Sequence, residues 1–414
     1  AVADETEFDG KDTSKYVMQQ TMLRIKEPKR SLDFYINVLG MELIEHMDFA
    51  SYGFSLYFVG YLPTGMTRAD MPPIDQRHHF AATLPGLIEL THNHNTEKEE
   101  GPSYHVGNNY DGCNGGFGHI GITLPDVYTA CERFKELGVS FKKSPNSGGM
   151  RGLAFIYDPD GYAIEIICQG GLGGNIPSVD CFGFDLQGQN GSLPVVAPST
   201  VDLSAGGGSL MDASLYYEKP IPDETRGWVM QQTMVRIRDP QVSLPFYRDV
   251  LGMTLIKRLD FPQYGFSLFF MGYLPKGMTA DELPPEGSSE RTDFLWNLPA
   301  TMELTHNHGS EAQEGPLYHT GNSYDNVKGG FGHVGITVPN VYDACDRFHE
   351  LGVEFKKSPN QGGMKGLAFI KDPDGYWIEI ISQAPTRIRR DVDCLGVHIE
   401  RGGGYTGGGG PKKR

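Results

Sequence analysis

The sequence predicts an α+β protein of four βαβββ-like modules in two tandem copies, and three observations lead there. FGHIGIT at 117–123 returns as FGHVGIT at 331–337, and its neighbours return with it. VMQQTMLRIKEP (17–28) matches VMQQTMVRIRDP (229–240), YGFSLYFVGYLP (52–63) matches YGFSLFFMGYLP (264–275), and GGMRGLAFIYDPDGYAIEII matches GGMKGLAFIKDPDGYWIEII. Self-similarity over so long a period marks an internal duplication. Inside each copy a strand-like stretch, a helix-like stretch and further strands appear twice. Finally, 414 residues exceed what one ordinary hydrophobic core organises, so two domains are expected.

In chain order, VMQQTMLRI alternates as a strand does. SLDFYINVLG reads as a short amphipathic helix, capped by its Ser and stopped by its Gly. FSLYFVGYL and GLIELTH read as strands. The second module follows with the strand FGHIGITL, the helix VYTACERFKELG, the strand GLAFIYD, an ordinary tight turn DPDG and the strand YAIEII. The copies are expected at 16–184 and 227–400, after an N-terminal arm at 1–15. A linker at 185–226, rich in Gly, Ser and Pro and containing AGGGS, should be flexible or draped, and 401–414 a flexible tail. The duplication reaches past the last strand: VDCFGFDLQ (179–187) resembles VDCLGVHIE (392–400), an added strand or arm with no chemistry visible in it.

Composition excludes several classes of function. Lys and Arg number 36 against 52 Asp and Glu, for a net charge of −16. Such a surface repels nucleic-acid phosphates and anionic lipid, so the expected partner is a small molecule, with no nucleic acid and no membrane insertion. No apolar run approaches the roughly 20 residues of a spanning helix. The opening AVADETEFDG is acidic, unlike an intact secretory signal, so the expected compartment is cytoplasm or an organelle matrix or stroma, without secretion. The 6 cysteines form no CxxC pair, and Cys131 and Cys345, equivalent positions of two helices, are expected as buried thiols.

Alternation places Gln20, Glu89, His119 and Glu165 in mid-strand among apolar neighbours. A buried carboxylate there is costly unless paired or bound to a metal. A lone mid-strand His is more often a hydrogen-bonded core residue, and a lone Glu more often faces solvent. Here Gln232, Glu303, His333 and Glu379 repeat the set although neighbouring positions have diverged, which favours metal ligation. One nitrogen and three oxygens suit a six-coordinate site completed by water, unlike the tetrahedral set of structural zinc. His92 and His94 of THNH fall on the face opposite Glu89, which predicts a surface or strand-end role. No nucleotide-binding glycine motif and no GxSxG elbow is present.

The motifs QQTMLR, SLDFY, VLGM, FSLYF, ELTHN, GFGHIGI, PDVY, GLAFI, DPDGY and IEI together resemble eukaryotic zinc-type glyoxalase I (lactoylglutathione lyase) in its fused two-copy form. The resemblance implies the vicinal-oxygen-chelate fold and detoxification of methylglyoxal through its hemithioacetal with glutathione or a related thiol. It implies one divalent metal per site, zinc first, with Ni, Co, Mn or Mg as alternatives. One site would take Gln20, Glu89, His333 and Glu379, the other Gln232, Glu303, His119 and Glu165, so the fusion stands in for a dimer and the chain is monomeric unless recruited to a larger assembly. The catalytic base falls on Glu379 or Glu165, with Glu89 or Glu303 on the opposite face. Arg24 and Arg236 match the γ-glutamyl carboxylate anchor, Asn93 and Asn307 its polar partner, and Lys143 and Lys357 a further anion contact. Met150, Met364, Phe54 and Phe266 would line the apolar pocket.

Two basic positions of the family are absent: Gly115 and Gly329 stand where it has Arg, and Gly149 and Gly363 where it has Lys. This opens the alternatives of a different thiol such as trypanothione, or a non-catalytic metal-holding subunit. A dioxygenase or an epimerase on the same fold would want more histidines in the set.

Overall fold

The computed structural model describes residues 12–107, 114–171, 176–194, 212–322, 328–383 and 390–399. The expected tail at 401–414, the AGGGS stretch of the linker, most of the N-terminal arm and Cys113 lie outside these residues.

The first copy contributes strands β1 (Val17–Ile25), β2 (Glu42–Phe49), β3 (Phe54–Gly60), β4 (Leu87–Asn93), the two-residue β5 (Asn114–Gly115), β6 (Phe117–Leu124), β7 (Phe141–Lys143), β8 (Leu153–Tyr157) and β9 (Ala163–Cys168). The second contributes β10 (Val229–Ile237), β11 (Thr254–Phe261), β12 (Phe266–Gly272), β13 (Thr301–Asn307), the two-residue β14 (Tyr318–His319), β15 (Phe331–Val338), β16 (Phe355–Lys357), β17 (Ala368–Lys371) and β18 (Trp377–Ser382). Helices are α1 (Pro28–Leu32), α2 (Arg77–Ala81), α3 (Val127–Glu136), α4 (Ser214–Tyr217), α5 (Pro240–Pro245), α6 (Ser289–Asn297) and α7 (Val341–Glu350).

Two 8-stranded sheets result, ordered β16-β17-β18-β15-β1-β4-β3-β2 and β11-β12-β13-β10-β6-β9-β8-β7. Neither belongs to one copy. The first half of each copy pairs with the second half of the other, β1 running antiparallel to β15 and β10 to β6. The sequence pattern allows this because β1 and β10 are buried along nearly their whole length, as central strands are. The duplication makes residues meet their own counterparts. Phe117 and Phe331 stack with ring centroids 4.8 Å apart, and the Thr21 and Thr233 hydroxyls hydrogen-bond. The main hydrophobic core of the described residues runs through both copies, including Leu23, Ile120, Val235 and Ile336, with two smaller clusters beside it.

The long helices follow the expected logic. In α3 the Asp126 side chain accepts from the backbone N–H of Tyr128 (2.9 Å) and Thr129 (3.3 Å), and Val127, Ala130, Cys131 and Phe134 form the buried stripe. α7 repeats this with Asn340 as cap and Val341, Ala344, Cys345 and Phe348 inside. Cys131 and Cys345 are fully buried free thiols.

Two expectations are corrected, and one pair of strands comes in addition. The first helix starts before Ser31, at Pro28, because proline at the first helical position loses no needed N–H. Ser31 instead donates to Glu27 O (3.2 Å) and Asp160 Oδ2 (3.0 Å). The DPDG turns are more than turns: Asp158 accepts from Tyr35 Oη (3.0 Å) and Asp160 from Lys26 N (2.9 Å), which ties the two modules of one copy together. Equivalent bonds join Tyr247 to Asp372 (2.8 Å) and Arg238 N to Asp374 (2.8 Å). Finally, β2 and β11 form sheet edges that the sequence pattern does not mark, because ELIEHMDF and TLIKRLDF carry charge among their apolar residues.

The described end of the linker is draped on the first copy: Asp33 accepts from Tyr216 Oη (3.0 Å) and Lys219 Nζ (2.8 Å). No described helix is long and apolar enough to cross a membrane.

Candidate metal centre

The four central strands of the first sheet, β18, β15, β1 and β4, each offer one polar side chain to a common point. They are Glu379, His333, Gln20 and Glu89, aligned by the pairings Gly335–Glu379, Gly335–Gln20, Met22–His333 and Met22–Glu89. The second sheet gathers Glu165, His119, Gln232 and Glu303 in the same way. All eight are buried, between 1% and 8% exposed.

His333 Nε2 stands 3.2 Å from Glu379 Oε2 and 3.6 Å from Glu89 Oε2; His119 Nε2 stands 3.2 Å from Glu165 and 3.4 Å from Glu303. Gln20 Nε2 donates to Glu379 (3.1 Å) and to Glu89, and Gln232 Nε2 to Glu165 (2.8 Å) and Glu303 (2.5 Å). In each His–Glu–Glu trio the possible ligand atoms lie within 4.8 Å of one another. Hydroxyls of Thr91 and Thr305 donate to Oε1 of Glu89 (2.9 Å) and Glu303 (3.2 Å), fixing the far side of each carboxylate.

Glycine makes room for the set. A Cβ at Gly335 would come 2.8 Å from Gln20 Cδ, and one at Gly121 would come 2.6 Å from Gln232 Cγ. Cβ atoms at Gly332 and Gly118 would collide with Met22 and Met234. The glycines flanking each histidine in FGHIGIT and FGHVGIT are therefore space for neighbouring strands. Phe155 and Phe369 meet the two imidazoles edge-on at 5.2 Å.

The electrostatics are unbalanced in a way a cation corrects. Two carboxylates in one buried pocket repel, and each carries a desolvation cost of several kcal/mol. Burial works against a charged imidazole at both sites, but the carboxylates outweigh it and push His119 and His333 up to about 9. Burial raises Glu165 as well. Gln20 Oε1, Gln232 Oε1 and His333 Nε2 are buried without a hydrogen-bond partner. A turn of each amide presents its oxygen to the cluster, giving three oxygens and one nitrogen. That donor set fits a six-coordinate divalent cation with water completing the sphere.

Most of the remaining predicted residues lie on the strands of the same sheets, and Met150 and Met364 in the segments that join β7 to β8 and β16 to β17. Arg24 donates to Gly329 O (3.0 Å), Phe331 O (3.3 Å) and Asn322 Oδ1 (2.9 Å), and Arg236 donates to Gly115 O (2.9 Å). Asn93 and Asn307 donate to the hydroxyls of Tyr104 (2.8 Å) and Tyr318 (3.1 Å). Phe54 pairs across the strand with Asn93, and Phe266 with Asn307. Lys143 and Lys357 donate to Leu153 O (2.8 Å) and Leu367 O (2.6 Å). Burial, opposed by Glu165, brings Lys143 down to about 8. Met150 and Met364 are half-buried, Met150 against the cluster of Leu153, Phe270 and Trp296.

Four tyrosines escaped the sequence reading. Tyr104 and Tyr318 hold the asparagines, and the repeated GP-x-YH around them was a usable signal. Tyr264 lies where a side chain at Gly149 would stand, and Tyr52 Oη is 3.4 Å from the Cβ position of Gly363. His92 and His94 stand at the end of β4, as the strand-end alternative expects; His92 is buried, which corrects the surface alternative, and pairs with Glu97 (2.9 Å), while His94 meets Ser55 Oγ (2.8 Å).

Comparison with known proteins shows the family and the fold. The sequence profile of the Glyoxalase/Bleomycin resistance protein/Dioxygenase superfamily matches residues 17–166 and 229–380. A lactoylglutathione lyase of Schizosaccharomyces pombe is 34% identical over 372 residues, covering 90% of this chain and 98% of the relative. Glyoxalase I of Saccharomyces cerevisiae is 32% identical, covering 88% and 92%. The crystal structure of glyoxalase I from Zea mays shares the fold, with a TM-score of 0.54 at 20% identity, covering 89% of this chain and 92% of that one. Matched over most of both copies and aligned with its relatives nearly end to end, the chain belongs to the Glyoxalase/Bleomycin resistance protein/Dioxygenase superfamily, as a two-copy member of its glyoxalase I branch.

Proposed function

We propose that the chain converts the hemithioacetal of a 2-oxoaldehyde and a thiol into the 2-hydroxyacyl thioester, methylglyoxal and glutathione giving S-D-lactoylglutathione. The observation that carries this reading is the pair of buried Gln–Glu–His–Glu clusters, each drawn from both copies. The likeness to curated lactoylglutathione lyases over nearly the whole chain supports it.

Gln20, Glu89, His333 and Glu379 would hold one divalent ion, and Gln232, Glu303, His119 and Glu165 the other, with zinc the first candidate. Bound there, the ion supplies Lewis-acid polarisation of substrate oxygens. The chain's own carboxylates move the proton. Glu379 in one pocket and Glu165 in the other take it from C1 and return it to C2, with Glu89 and Glu303 on the opposite side of the substrate. The hydroxyl proton of C1 passes to the oxygen of C2, so the reaction balances without an oxidant. Burial that raises Glu165 suits a group that must both accept and release a proton.

Arg24 with Asn93, and Arg236 with Asn307, would anchor the γ-glutamyl end, with Lys143 and Lys357 as further anion contacts. Phe54 with Met364, and Phe266 with Met150, would form the apolar walls. Each arginine is already held by a carbonyl of the other copy, which lowers the entropic cost of using it. Since both halves of each sheet are present in one chain, a monomer suffices. Free buried thiols at Cys131 and Cys345 suit a reducing cytoplasm or organelle matrix, and a plant relative 25% identical is named as chloroplastic.

A second reading concerns the thiol. The basic residues absent at Gly115, Gly329, Gly149 and Gly363, and the Tyr264 hydroxyl beside Gly149, favour a thiol whose glycine carboxylate is amidated, such as trypanothione. The test is thioester formation from methylglyoxal with glutathione or trypanothione, with and without a chelator. Chelator-sensitive product is expected. Metal-loaded protein that yields no thioester with either thiol would replace the lyase by a metal-holding structural subunit.

A further inference from the structure

Past its last strand each copy carries a turn that the chemistry above does not use. Asp180, 7% exposed, accepts through Oδ1 from the backbone of Phe182 (2.9 Å) and Phe184 (3.0 Å). Its other oxygen accepts from the backbone of Asn146 (3.0 Å). Asp393 repeats the arrangement with Leu395 (3.0 Å), Val397 (3.0 Å) and Asn360 (2.9 Å). The asparagines answer in kind. Asn146 donates to Pro177 O (3.1 Å) and Phe184 O (3.2 Å), and Asn360 to Arg390 O (3.1 Å) and Val397 O (2.9 Å). Their side-chain oxygens accept from Tyr128 Oη (2.7 Å) and Tyr342 Oη (2.6 Å), and both asparagines are wholly buried.

What these bonds hold is the segment between β7 and β8, and its counterpart between β16 and β17. Each begins SPN and continues through two glycines to Met150 or Met364. A stretch so rich in glycine has little conformational preference of its own. Yet it runs from Lys143, whose charge interacts with Glu165, past Gly149 beside Tyr264, to β8, where Phe155 abuts His119. Turn bonds close the two ends of this pocket wall, Ser147 N to Ser144 O (3.2 Å) and Gly152 N to Pro145 O (2.9 Å), and Asn146 joins it to the tail.

We propose that Asp180 with Asn146, and Asp393 with Asn360, are positioning residues that hold this wall for substrate, and that the duplicated tail exists to supply the two aspartates. The proposal rests on the lyase reading. The discriminating change is Asp→Asn. Its Oδ1 still accepts within the tail, but an NH2 then faces the Asn146 or Asn360 N–H, so the charge-assisted link to the wall is lost while the asparagine side chains keep their own bonds to the tail.

In D180N/D393N, KM is expected to rise roughly tenfold or more, the equivalent of one charge-assisted hydrogen bond, with kcat and metal content near wild type. Y128F/Y342F, which removes only the hydroxyls, should raise KM less and in the same direction. Unchanged KM in folded, metal-loaded variants overturns the proposal, as does a parallel loss of kcat and metal. Should the wild type itself show no turnover, the lyase reading fails, and hydrogen exchange then decides. Faster exchange at 144–152 and 358–366 in D180N/D393N sustains the clamp, and unchanged exchange overturns it.

Discussion

Gln20 on β1 donates through its amide to Glu379 on β18, 3.1 Å away, so the first and last long strands of the chain share one pocket. Pocket membership therefore crosses copy membership, and double variants separate the two. E89Q/E379Q changes one pocket through two copies and should keep about half of wild-type turnover. E89Q/E165Q changes one copy through two pockets and should lose ~10²–10⁴-fold, the usual worth of a positioned general base. Comparable losses in steady-state assays of both variants would refute the mixed pockets.

Metal content should follow the same geometry. H333A should lower the bound divalent ion from two per chain to one, read by elemental analysis, and H333A/H119A should abolish binding. Chelation should lower the melting temperature, since an ion at a hundred times its Kd stabilises the fold by about 2.7 kcal/mol.

The GHVG and GHIG glycines carry a separate prediction. A methyl group at Gly335 meets Gln20 Cδ at 2.8 Å, so G335A should cost about 1–3 kcal/mol as an overpacked core position. It should also empty its own pocket of metal while sparing the one that contains Gly121. Equal metal loss from both pockets, measured in the G335A background with and without H119A, would contradict the assignment.

Buried Asp158 and Asp372 predict how stability varies with pH. Burial and the neighbouring Asp160 and Asp374 push them up to about 8 and about 7. A carboxyl whose pKa is higher folded than unfolded binds its proton more tightly when native. Its contribution is present below about pH 4 and is lost as pH rises towards 7 or 8, at up to about 1.4 kcal/mol per pH unit for each group. D372N should flatten denaturant-unfolding stability between pH 4 and 7 relative to wild type. An unchanged slope would mean the carboxylate is native at all these pH values, held by the N–H groups of Asp374 and Tyr376.

For the thiol, G363K is the informative change, because Tyr52 Oη leaves 3.4 Å there whereas Tyr264 blocks Gly149. It should lower KM for the glutathione hemithioacetal several-fold and leave that for an amidated thiol unchanged. An equal effect on both thiols would detach this position from the glycine carboxylate.

Much of the fold was legible because the duplication repeats its own pattern: β1, β6 and β15 were visible as alternating or apolar runs, and α3 and α7 as the repeated stretches VYTACERFKELG and VYDACDRFHELG. Gln20, Glu89, His119 and Glu165 stood out as polar residues in apolar strands. The edge strands β2 and β11 did not, since an edge tolerates charge on both faces. Ser31 misled because a serine before an apolar run has the form of a cap, while Pro28 had already opened the helix. Tyr264 and the Asp180–Asn146 clamp depend on contacts between distant segments, and no local period encodes those.

The strand order also sets a timetable for synthesis. Strands β6 to β13 are consecutive, so one sheet and its four polar residues are complete once Asn307 has been made. The other sheet joins the two ends of the chain, and β1 waits with one side open until β15 to β18 arrive. Closing that sheet carries the larger loop entropy and the longer exposure of an apolar edge. Chains stalled or truncated after the middle of the second copy would therefore carry one finished pocket and one sticky half-sheet, the form that aggregation and quality control meet first.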